Sequence, residues 1–373
     1  MNNRLHIVCL DAPSPPDYGG AIDMFYKIKA LSQIGKEIYL HYFEYGNKRS
    51  IDAILPFTKK VFSYKRKSFI SGPQLALPYI VSSRVSKALI DELNKDEASI
   101  ILEGIHCTGV LPYLKNKDRK IIVRIHNDEA LYYQRLGDAE KNLARKMYDR
   151  LESELLKRYQ KTLPKKIVYA CLASTDAETF SHQYQQPNVI FLPCFVPWQK
   201  VTVDAEVTGY CLYHGNMAVS ENEMAVLWLI QEVFLKINVP FYIAGKGISD
   251  KVIRICAGKN HIKLIPNPTI EAIDNLVKNA QINVLPSLNN TGVKLKLLHA
   301  LFCGRWCITN KAGVEGSGLE QAVIISEKGE EWIIKIQQLL SVEVAESQIM
   351  KRQQQLQIYN NTENAQKINA LLP

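Results

Sequence analysis

Short apolar runs alternate with amphipathic segments of helical length through both halves of the chain, and this alternation restricts the fold more than any other feature. It is typical of parallel sheets whose strands are buried on both faces. The strands predicted in the first half are 4–10, 38–43, 99–104, 120–126, 166–174 and a last one within 185–198. Those predicted in the second half are 209–215, 240–247, 261–266, 281–286, 306–309 and 322–326. We therefore predict an α/β chain built from two Rossmann-like domains.

Chain length agrees with that division. The 373 residues are too many for one ordinary core and suit two domains of about 150–200 residues each. The main helices are predicted at about 21–34, 138–162, 220–237, 269–279, 293–302 and 343–371. We place the domains at 1–197 and 198–342, followed by a polar-rich C-terminal helix at 343–373.

Basic charge is concentrated in the first half. The net charge is +9; residues 1–200 contain 30 Lys and Arg against 21 Asp and Glu, whereas residues 201–373 contain 16 of each kind. Such a field favours an anionic partner, either a phosphorylated substrate, a membrane surface or a nucleic acid. The alternative is a solvated face without a partner. A nucleic acid is disfavoured because no recognised module and no aromatic platform accompanies the cations.

The sequence indicates a cytoplasmic protein. No N-terminal signal peptide is recognisable, and no apolar run approaches the roughly 18 residues of a spanning helix. The eight cysteines are scattered and form no CxxC pair, a pattern that suits reduced, buried thiols better than disulfides or zinc. We expect no metal site.

The stretch NNTGVKLKLLHALFCG, residues 289–304, follows a predicted strand and begins a predicted helix. In doubly wound sheets, ligands bind beyond the carboxyl ends of strands, where helix N-termini favour phosphate. Asn290 or Thr291 is predicted to cap the helix, Gly292 allows close backbone approach, and Lys296 adds a positive charge. The alternative is an ordinary helix with two surface lysines.

Three other loops follow predicted strands. DAPSPPDYGG (11–20) exposes the amides of Gly19 and Gly20 before a helix, although it lacks the GxGxxG fingerprint. RIHNDE (124–129) offers a histidine able to act as acid or base, or else a cluster that caps the next helix. YHGN (213–216) ends its strand in a tight turn able to approach a ligand.

Four segments carry a family resemblance. They are DAPSPPDYGGAIDMFYKIKAL (11–31), VRIHNDEALYYQRL (123–136), YHGNMAVSENEMAVLWLIQEVF (213–234) and TGVKLKLLHALFCGRWCITNKAGVEG (291–316). In their order and spacing they resemble GT-B glycosyltransferases of the family 4 group and its bacterial sugar-transferase relatives. The resemblance implies a GT-B architecture, with two Rossmann-like domains facing across a cleft and a last helix that crosses back to the first domain.

The resemblance also implies roles for individual residues. His126 would lie at the transferred sugar as the catalytic candidate, with Asn127 and Glu129 binding the acceptor. The residues implied to bind the nucleotide-sugar donor are Gly19, Gly20, Gly215, Asn216, Thr291, Gly292, Lys296, His299, Gly313, Glu315 and Gly316. The donor would be UDP- or GDP-linked, and neither a cofactor nor a metal is expected.

This chain departs from the family pattern at two positions. The family typically carries two glutamates where this sequence has Thr291 and His299. A histidine can still hydrogen-bond the ribose hydroxyls in place of the second glutamate, and threonine offers one hydroxyl in place of the first carboxylate. The departure leaves the stereochemical course, and activity itself, open.

The resemblance implies a glycosyltransferase that makes a surface polysaccharide or glycan from a nucleotide-sugar. The expected acceptor is a glycan or a polyprenyl-linked sugar. The alternatives are a nucleotide-sugar epimerase and a catalytically impaired nucleotide-sugar-binding homologue. A peripheral contact with the inner membrane face is expected at residues 59–80, where cations border apolar side chains. These residues are Lys59, Lys60, Lys65, Arg66 and Lys67, with Phe69, Ile70, Leu75, Leu77 and Tyr79.

Overall fold

The computed structural model describes residues 3–44, 46, 49–68, 77–203 and 209–372. They divide into two compact units. The first contains the described residues up to Pro197 together with those from Tyr359 onward, and the second is Trp198–Ile358. Each unit is built on one parallel sheet with helices between its strands, as the alternating pattern predicts.

Seven parallel strands form the sheet of the first unit, in the order β3-β2-β1-β4-β5-β6-β7. They are β1 (Arg4–Cys9), β2 (Glu37–Glu44), β3 (Lys60–Lys65), β4 (Ser99–Glu103), β5 (Ile121–Ile125), β6 (Val168–Cys171) and β7 (Val189–Phe191). At the centre Ile7 is paired with Leu40 and Ile101, and all three side chains are buried. Chain order reverses between β1 and β4, which is where doubly wound sheets bind ligands.

Six parallel strands form the sheet of the second unit, in the order β10-β9-β8-β11-β12-β13. They are β8 (Cys211–His214), β9 (Phe241–Gly245), β10 (Ile262–Pro266), β11 (Ile282–Val284), β12 (Trp306–Thr309) and β13 (Ile324–Ile325). Here the chain reverses between β8 and β11, so the loops after these two strands lie at the second switch point.

Helices connect the strands of both sheets. Those before residue 200 are α1 (Gly19–Gln33), α2 (Tyr79–Ser82), α3 (Lys87–Leu93), α4 (Glu129–Ala139), α5 (Leu143–Thr162) and α6 (Ser174–His182). The later ones are α7 (Ser220–Leu229), α8 (Asp250–Cys256), α9 (Ile270–Asn279), α10 (Leu295–Cys303), α11 (Lys311–Val314), α12 (Gly329–Leu339), α13 (Glu346–Leu356) and α14 (Asn361–Leu371). The last helix, α14, packs against α1.

Two predicted helices are wrong in their extent. The helix predicted at 138–162 corresponds to α5 but begins five residues too early, because Asn142 caps α5 by accepting from the amide of Arg145 and residues 138–139 end α4. The helix predicted at 343–371 is two helices, since Asn360 caps α14 by accepting from the amide of Glu363. In both cases a capping asparagine starts a new helix.

Strand β3 was missed because its sequence, KVFSYK, was interpreted as part of a basic surface segment. In the structure it is an edge strand paired with β2. Its polar and basic residues alternate with partly buried aromatics, and lysines on a sheet edge oppose pairing with another chain.

All eight cysteines are buried and free, as expected. Across the described ranges, no helix has the length and apolar character needed to traverse a bilayer.

A chain of buried polar side chains crosses the first three strands. His6 Nδ1 lies 2.8 Å from His41 Nε2, and His41 Nδ1 lies 2.9 Å from the hydroxyl of Tyr64. At the other end His6 Nε2 lies 3.2 Å from Asp96, which also pairs with Arg119 at 3.1 Å. Burial lowers the pKa of His6 and lowers that of His41 to about 3.

Because these histidines titrate lower in the folded state than in the unfolded state, the unfolded chain binds more protons between about pH 3 and about pH 6.5. We predict that the free energy of unfolding falls as the pH drops below about 6.5, by up to about 1.4 kcal/mol per pH unit for each histidine. Urea unfolding of His41→Gln from pH 7.5 to 5, compared with exposed His182→Gln, measures this slope. An unchanged slope in His41→Gln would contradict the assignment.

Candidate functional site

Buried charges lie at the carboxyl edge of the first sheet. Glu103 ends β4, Arg124 lies in β5, and His126 follows β5, while Asp23 and Lys27 lie one turn apart on α1. Lys27 Nζ donates to Asp23 Oδ2 and to Glu103 Oε2, each at 2.8 Å. Since the carboxyl ends of parallel strands share one edge, the fold places these residues together although the sequence separates them by up to 103 positions.

Arg124 completes the network. Its guanidinium donates to both Asp23 oxygens, at 3.0 and 3.3 Å, and to the carbonyls of Leu192 and Pro193. Burial alone would raise the pKa of Asp23, but Arg124 and Lys27 hold it well below its ordinary value. Burial likewise opposes ionisation of Glu103, whereas Lys27 and His126 keep its pKa below the usual range. Both carboxylates are therefore ionised and paired.

His126 is held by this network. Its Nε2 lies 2.9 Å from Glu103 Oε2, and its Nδ1 lies on the side of Gly20. A Cβ built on Gly20 would lie 3.6 Å from His126 Nδ1 and 3.1 Å from the ring of Tyr18. Two of the predicted site residues, Gly20 and His126, thus lie in contact range at the N-terminus of α1, which begins at Gly19.

Asp23, Glu103 and His126 bring three potential metal-ligating atoms within 4.8 Å of one another. However, the ammonium of Lys27 already lies 2.8 Å from both carboxylates. Lys27 therefore supplies the positive charge that these carboxylates require, and the cluster is an ion-pair network in its present arrangement.

The other residues of the RIHNDE motif begin α4. Asp128 caps this helix through the amides of Ala130 and Leu131, and both its oxygens accept from the hydroxyl of Tyr184 at 3.0 Å. Glu129 is buried, and burial raises the pKa of its carboxyl to about 8 although Asn127 bonds to it. The capping function foreseen as an alternative therefore belongs to Asp128, while Glu129 is neutral near pH 7.

Asp23 pairs with both buried cations, so its replacement leaves Arg124 and Lys27 with less negative charge to balance them. We predict that Asp23→Asn lowers the free energy of unfolding by about 3–5 kcal/mol, the usual cost of breaking a buried ion pair. Asp17→Asn is the matched control, because its pair with Arg49 is partly exposed and is worth less than about 1 kcal/mol. Equal, small losses in both variants by urea unfolding would contradict the role of Asp23.

In the second unit, the loop after β11 and the start of α10 lie at the switch point. Helix α10 begins at Leu295 with Lys294 as its N-cap, so the prediction that Asn290 or Thr291 caps it is wrong. Instead Asn289 organises the loop: its Oδ1 accepts from the amide and hydroxyl of Thr291, at 2.6 and 2.7 Å, and its amide donates to Glu221. Gly292 has a φ of 63°, a conformation that favours glycine.

Lys296, the second residue of α10, is half-buried. Its Nζ donates to the hydroxyl of Tyr213 at 2.9 Å and to Oδ1 of Asn222 at 3.1 Å, and it lies 4.5 Å from the centre of the Tyr213 ring. Burial lowers the pKa of Lys296 to about 7, and Lys294 adds to this effect. Both hydrogen-bond acceptors of this ammonium are neutral, and the carboxylate of Glu221, which is not paired with it, acts from a longer distance to raise its pKa.

Asn222 connects Lys296 to the loop after β8. Its Nδ2 donates to the carbonyl of Asn216 at 2.9 Å, and a Cβ on Gly215 would lie 3.6 Å from it. The predicted site residues Gly215, Asn216 and Lys296 are thus brought together. Tyr213 and Asn222, which make the direct contacts, were not among the predicted site residues, although both lie in the quoted segment 213–234.

His299 lies on α10, one turn after Lys296. Its ring stacks on Trp198 with centroids 4.6 Å apart, and its Nε2 lies 3.0 Å from Asp274 without the alignment of a hydrogen bond. Burial lowers the pKa of His299 to about 4, so the ring is neutral near pH 7. The neighbouring His214, also buried, lies edge-on at 5.6 Å.

The segment after β12 contains the remaining predicted residues. A Cβ on Gly313 would lie 2.1 Å from the hydroxyl of Thr309, so only glycine fits there. Glu315 accepts from the side chain of Asn290 at 3.0 Å, which connects this segment with the loop before α10. Gly316 has a φ of 77°. Together these contacts place Thr291, Gly292, Gly313 and Glu315 around one loop cluster.

Residues 208–342 match the family model described as Glycosyl transferases group 1. A protein described as an uncharacterized 44.6 kDa protein in the cps region of Klebsiella pneumoniae is 26% identical over 351 residues, covering 87% of this chain and 88% of that protein.

Solved structures share the fold over the whole chain. S. aureus TarM in complex with fondaparinux, α-GlcNAc-glycerol and UDP has a TM-score of 0.69 at 12% identity, covering 100% of both chains. Sucrose-phosphate synthase from Thermosynechococcus elongatus has a TM-score of 0.68 at 14% identity, covering 99% of this chain and 98% of that one.

Proposed function

We propose that this GT-B glycosyltransferase, whose residues 208–342 form a group 1 glycosyltransferase domain, transfers a sugar from a UDP- or GDP-linked donor to a glycan or lipid-linked acceptor of a surface polysaccharide. The S. aureus TarM structure contains UDP and a GlcNAc-glycerol, which supports a nucleotide-sugar donor and a glycan acceptor. The cps-region relative from Klebsiella pneumoniae supports a role in surface polysaccharide synthesis.

The observation that carries this proposal is the half-buried ammonium of Lys296, whose two hydrogen-bond acceptors are neutral. A desolvated lysine without a paired carboxylate keeps its proton poorly, and a diphosphate would supply negative charge. The N-terminus of α10, where Lys296 lies, adds unpaired amides and a favourable dipole. Lys296 would also stabilise the charge that develops on the departing diphosphate during transfer.

The other donor-binding residues are proposed from their neighbourhood to Lys296. Gly215 and Asn216 are connected to it through Asn222, and the cluster of Thr291, Gly292, Gly313, Glu315 and Gly316 surrounds the loop before α10. We also propose that His299 contacts the ribose of the donor, which its position on α10, one turn after Lys296, supports. Its stacking on Trp198 supports an additional structural role.

In the first unit we assign His126 to the reacting sugar, with Gly19 and Gly20 beside the donor diphosphate and Asn127 and Glu129 toward the acceptor. The contact of His126 with Glu103 supports this assignment, because a carboxylate at Nε2 fixes the ring and makes Nδ1 available on the side of Gly20. A neutral Glu129 could donate a hydrogen bond to a sugar hydroxyl.

Two finer features are also proposed. The reaction would be independent of a metal, because Lys27 and Arg124 already neutralise the carboxylates that could hold one. It would retain the anomeric configuration, which rests on the resemblance of residues 291–316 to the donor site of retaining family members. Activity after EDTA treatment and the anomeric proton coupling of the product test these two features separately.

A lipid-linked acceptor would bring the protein to the cytoplasmic membrane face. The basic segment (residues 59–67) supports this with exposed Lys65 and Lys67, while Arg66 lies 4.8 Å from the ring of Tyr79. The described part of the segment offers charge, but its aromatic side chains Phe62 and Tyr64 pack inward. Phe69, Ile70 and Leu75 lie outside the described residues.

We predict that Lys296→Ala weakens the binding of UDP or GDP by about 1.5–3 kcal/mol, the range for a charge-assisted hydrogen bond. Because the pKa of Lys296 is about 7 in the free protein, wild-type affinity should fall as the pH rises from about 7 to about 9, where binding must take up a proton. Isothermal titration calorimetry in buffers of different ionisation enthalpy measures both effects.

Exposed Lys263→Ala is the matched control for the loss of one positive charge in the second unit. The assignment predicts wild-type affinity and pH dependence in Lys263→Ala and a flat pH profile in Lys296→Ala. Equal affinity in all three proteins would remove Lys296 from the donor site.

The enzymatic proposal predicts that a panel of UDP- and GDP-sugars contains one that stabilises the protein in thermal shift, and that its sugar is transferred to an acceptor extract with release of the nucleoside diphosphate. Mass spectrometry of the products measures transfer. Conversion of the donor without acceptor would instead indicate an epimerase. Tight donor binding without transfer or hydrolysis would indicate an impaired homologue, for which Thr291 and His299 would be the first residues to restore to glutamate.

A further inference from the structure

Helix α5 presents an apolar stripe to solvent. Leu143, Met147 and Leu151 are 72%, 65% and 60% exposed. Their spacing of four residues places them on one face of the helix, over its first three turns. Opposite this face, Leu156 is buried in the core of the first unit. Three large apolar side chains in a row, exposed to this degree, indicate a surface that is covered in use.

The packing of α5 does not require this stripe. Helix α5 is held by buried contacts on its other side: Ser153 donates to the carbonyl of Ala130 at 2.7 Å, and Glu152 accepts from the amide of Ile80 at 2.9 Å. On α4, the partner helix, Tyr132 and Leu136 are exposed at the same spacing of four. The pair of helices is therefore stable in the fold while leaving apolar side chains outside.

Cations surround the stripe. Residues 141–161 contain seven Lys and Arg but only three Asp and Glu, and two of these acids, Asp149 and Glu152, are buried. Arg145, Arg150 and Arg158 pair with acids only on the exposed surface, and such pairs contribute little. The solvent-facing side of α5 is thus apolar in the middle and positive at its margins.

The basic segment acts on α5 from its other side. Arg66 acts electrostatically on Tyr148 and on Glu152, the residue that holds the start of α2. The cations of α5 itself therefore border the stripe, and those of the basic segment add to the positive field of the first unit.

Two occupants fit an apolar stripe, namely a second copy of the chain or a lipid surface. A symmetric dimer would bring the same cations of the two copies together, which is unfavourable. An anionic bilayer accepts the apolar side chains below its headgroups and attracts each nearby cation by about 1 kcal/mol. Charge complementarity therefore favours the bilayer.

We propose that α5 docks on an anionic membrane, with Leu143, Met147 and Leu151 inserted at the headgroup boundary and the basic residues of α5 on the phosphates. This rests on the proposed function in one respect, since a lipid-linked acceptor explains why the enzyme needs the contact. The surface itself is independent of the donor site.

Co-sedimentation of the full chain with vesicles of phosphatidylcholine containing about 30% phosphatidylglycerol tests the proposal. The wild type should bind at low salt and detach as salt increases. Changing Leu143, Met147 and Leu151 together to Gln should weaken binding at least about tenfold, since the apolar insertion is lost. Gln is a good helix former, so the melting temperature should be unchanged.

The matched control replaces three exposed apolar residues of the second unit, Ile270, Ile334 and Met350, by Gln. It should bind vesicles like the wild type. Failure of the wild type to bind at low salt, or equal binding by both triple variants, would overturn the proposal. A wild-type dimer in light scattering that the α5 variant dissociates would overturn it in favour of a second copy.

The same variants separate this proposal from the proposed function. On a water-soluble acceptor analogue, the α5 variant should transfer sugar at the wild-type rate, because the three side chains face solvent and none of them belongs to the proposed donor or acceptor site. Vesicle binding without any sugar transfer would support the docking surface and contradict the proposed enzymatic function.

Discussion

The ammonium of Lys296 is half-buried at the start of a helix, where it contacts a hydroxyl, an amide oxygen and an aromatic ring. A desolvated cation without a paired carboxylate is costly, and groups with strongly shifted pKa values cluster at binding sites. Tyr213, Asn222 and the loop of Asn216 are positioned by the same contacts. For this reason we propose that the second unit binds the anionic diphosphate of a donor at Lys296.

In the first unit, by contrast, the buried charges are all paired with one another. Its buried carboxylates, Asp23 and Glu103, are fully compensated by Lys27 and Arg124. The network fixes the N-terminal turns of α1 and the end of β5, and His126 is its outermost member. This neutralised ion-pair network holds His126 through Glu103, and Nδ1 of the same ring lies on the side of Gly20.

Much of the fold follows from the sequence because strands buried on both faces must be apolar runs, and helices between them must return the chain. The match of residues 208–342 to a glycosyltransferase family model confirms the resemblance noted for that half. The starts of α5 and α14 escaped prediction, since a single capping asparagine within a polar stretch decides each of them. Strand β3 escaped because its lysines belong to a sheet edge that only the pairing with β2 reveals.

For the candidate site, the sequence located some residues but not the side chains that contact them. Glycines and Lys296 could be located from loops after strands, and the meeting of Gly20 with His126 follows from parallel strands ending at one edge. The partners of these residues could not be located. Asp23 and Arg124 are 101 positions apart, and Lys296 and Tyr213 are 83 apart, so no local pattern connects them. His299, a position assigned from the family resemblance, lies against Trp198 and Asp274, and its spacing in the sequence does not reveal these neighbours.

The most direct test of the central claim is the pKa of Lys296, followed by NMR of its labelled side chain, with and without saturating UDP or GDP. The account predicts titration near pH 7 in the free protein, because burial without an anionic partner destabilises the ammonium. With the nucleotide bound, the diphosphate should raise this pKa by at least about one unit. An ordinary lysine pKa in the free protein, or the same titration in both states, would contradict the claim.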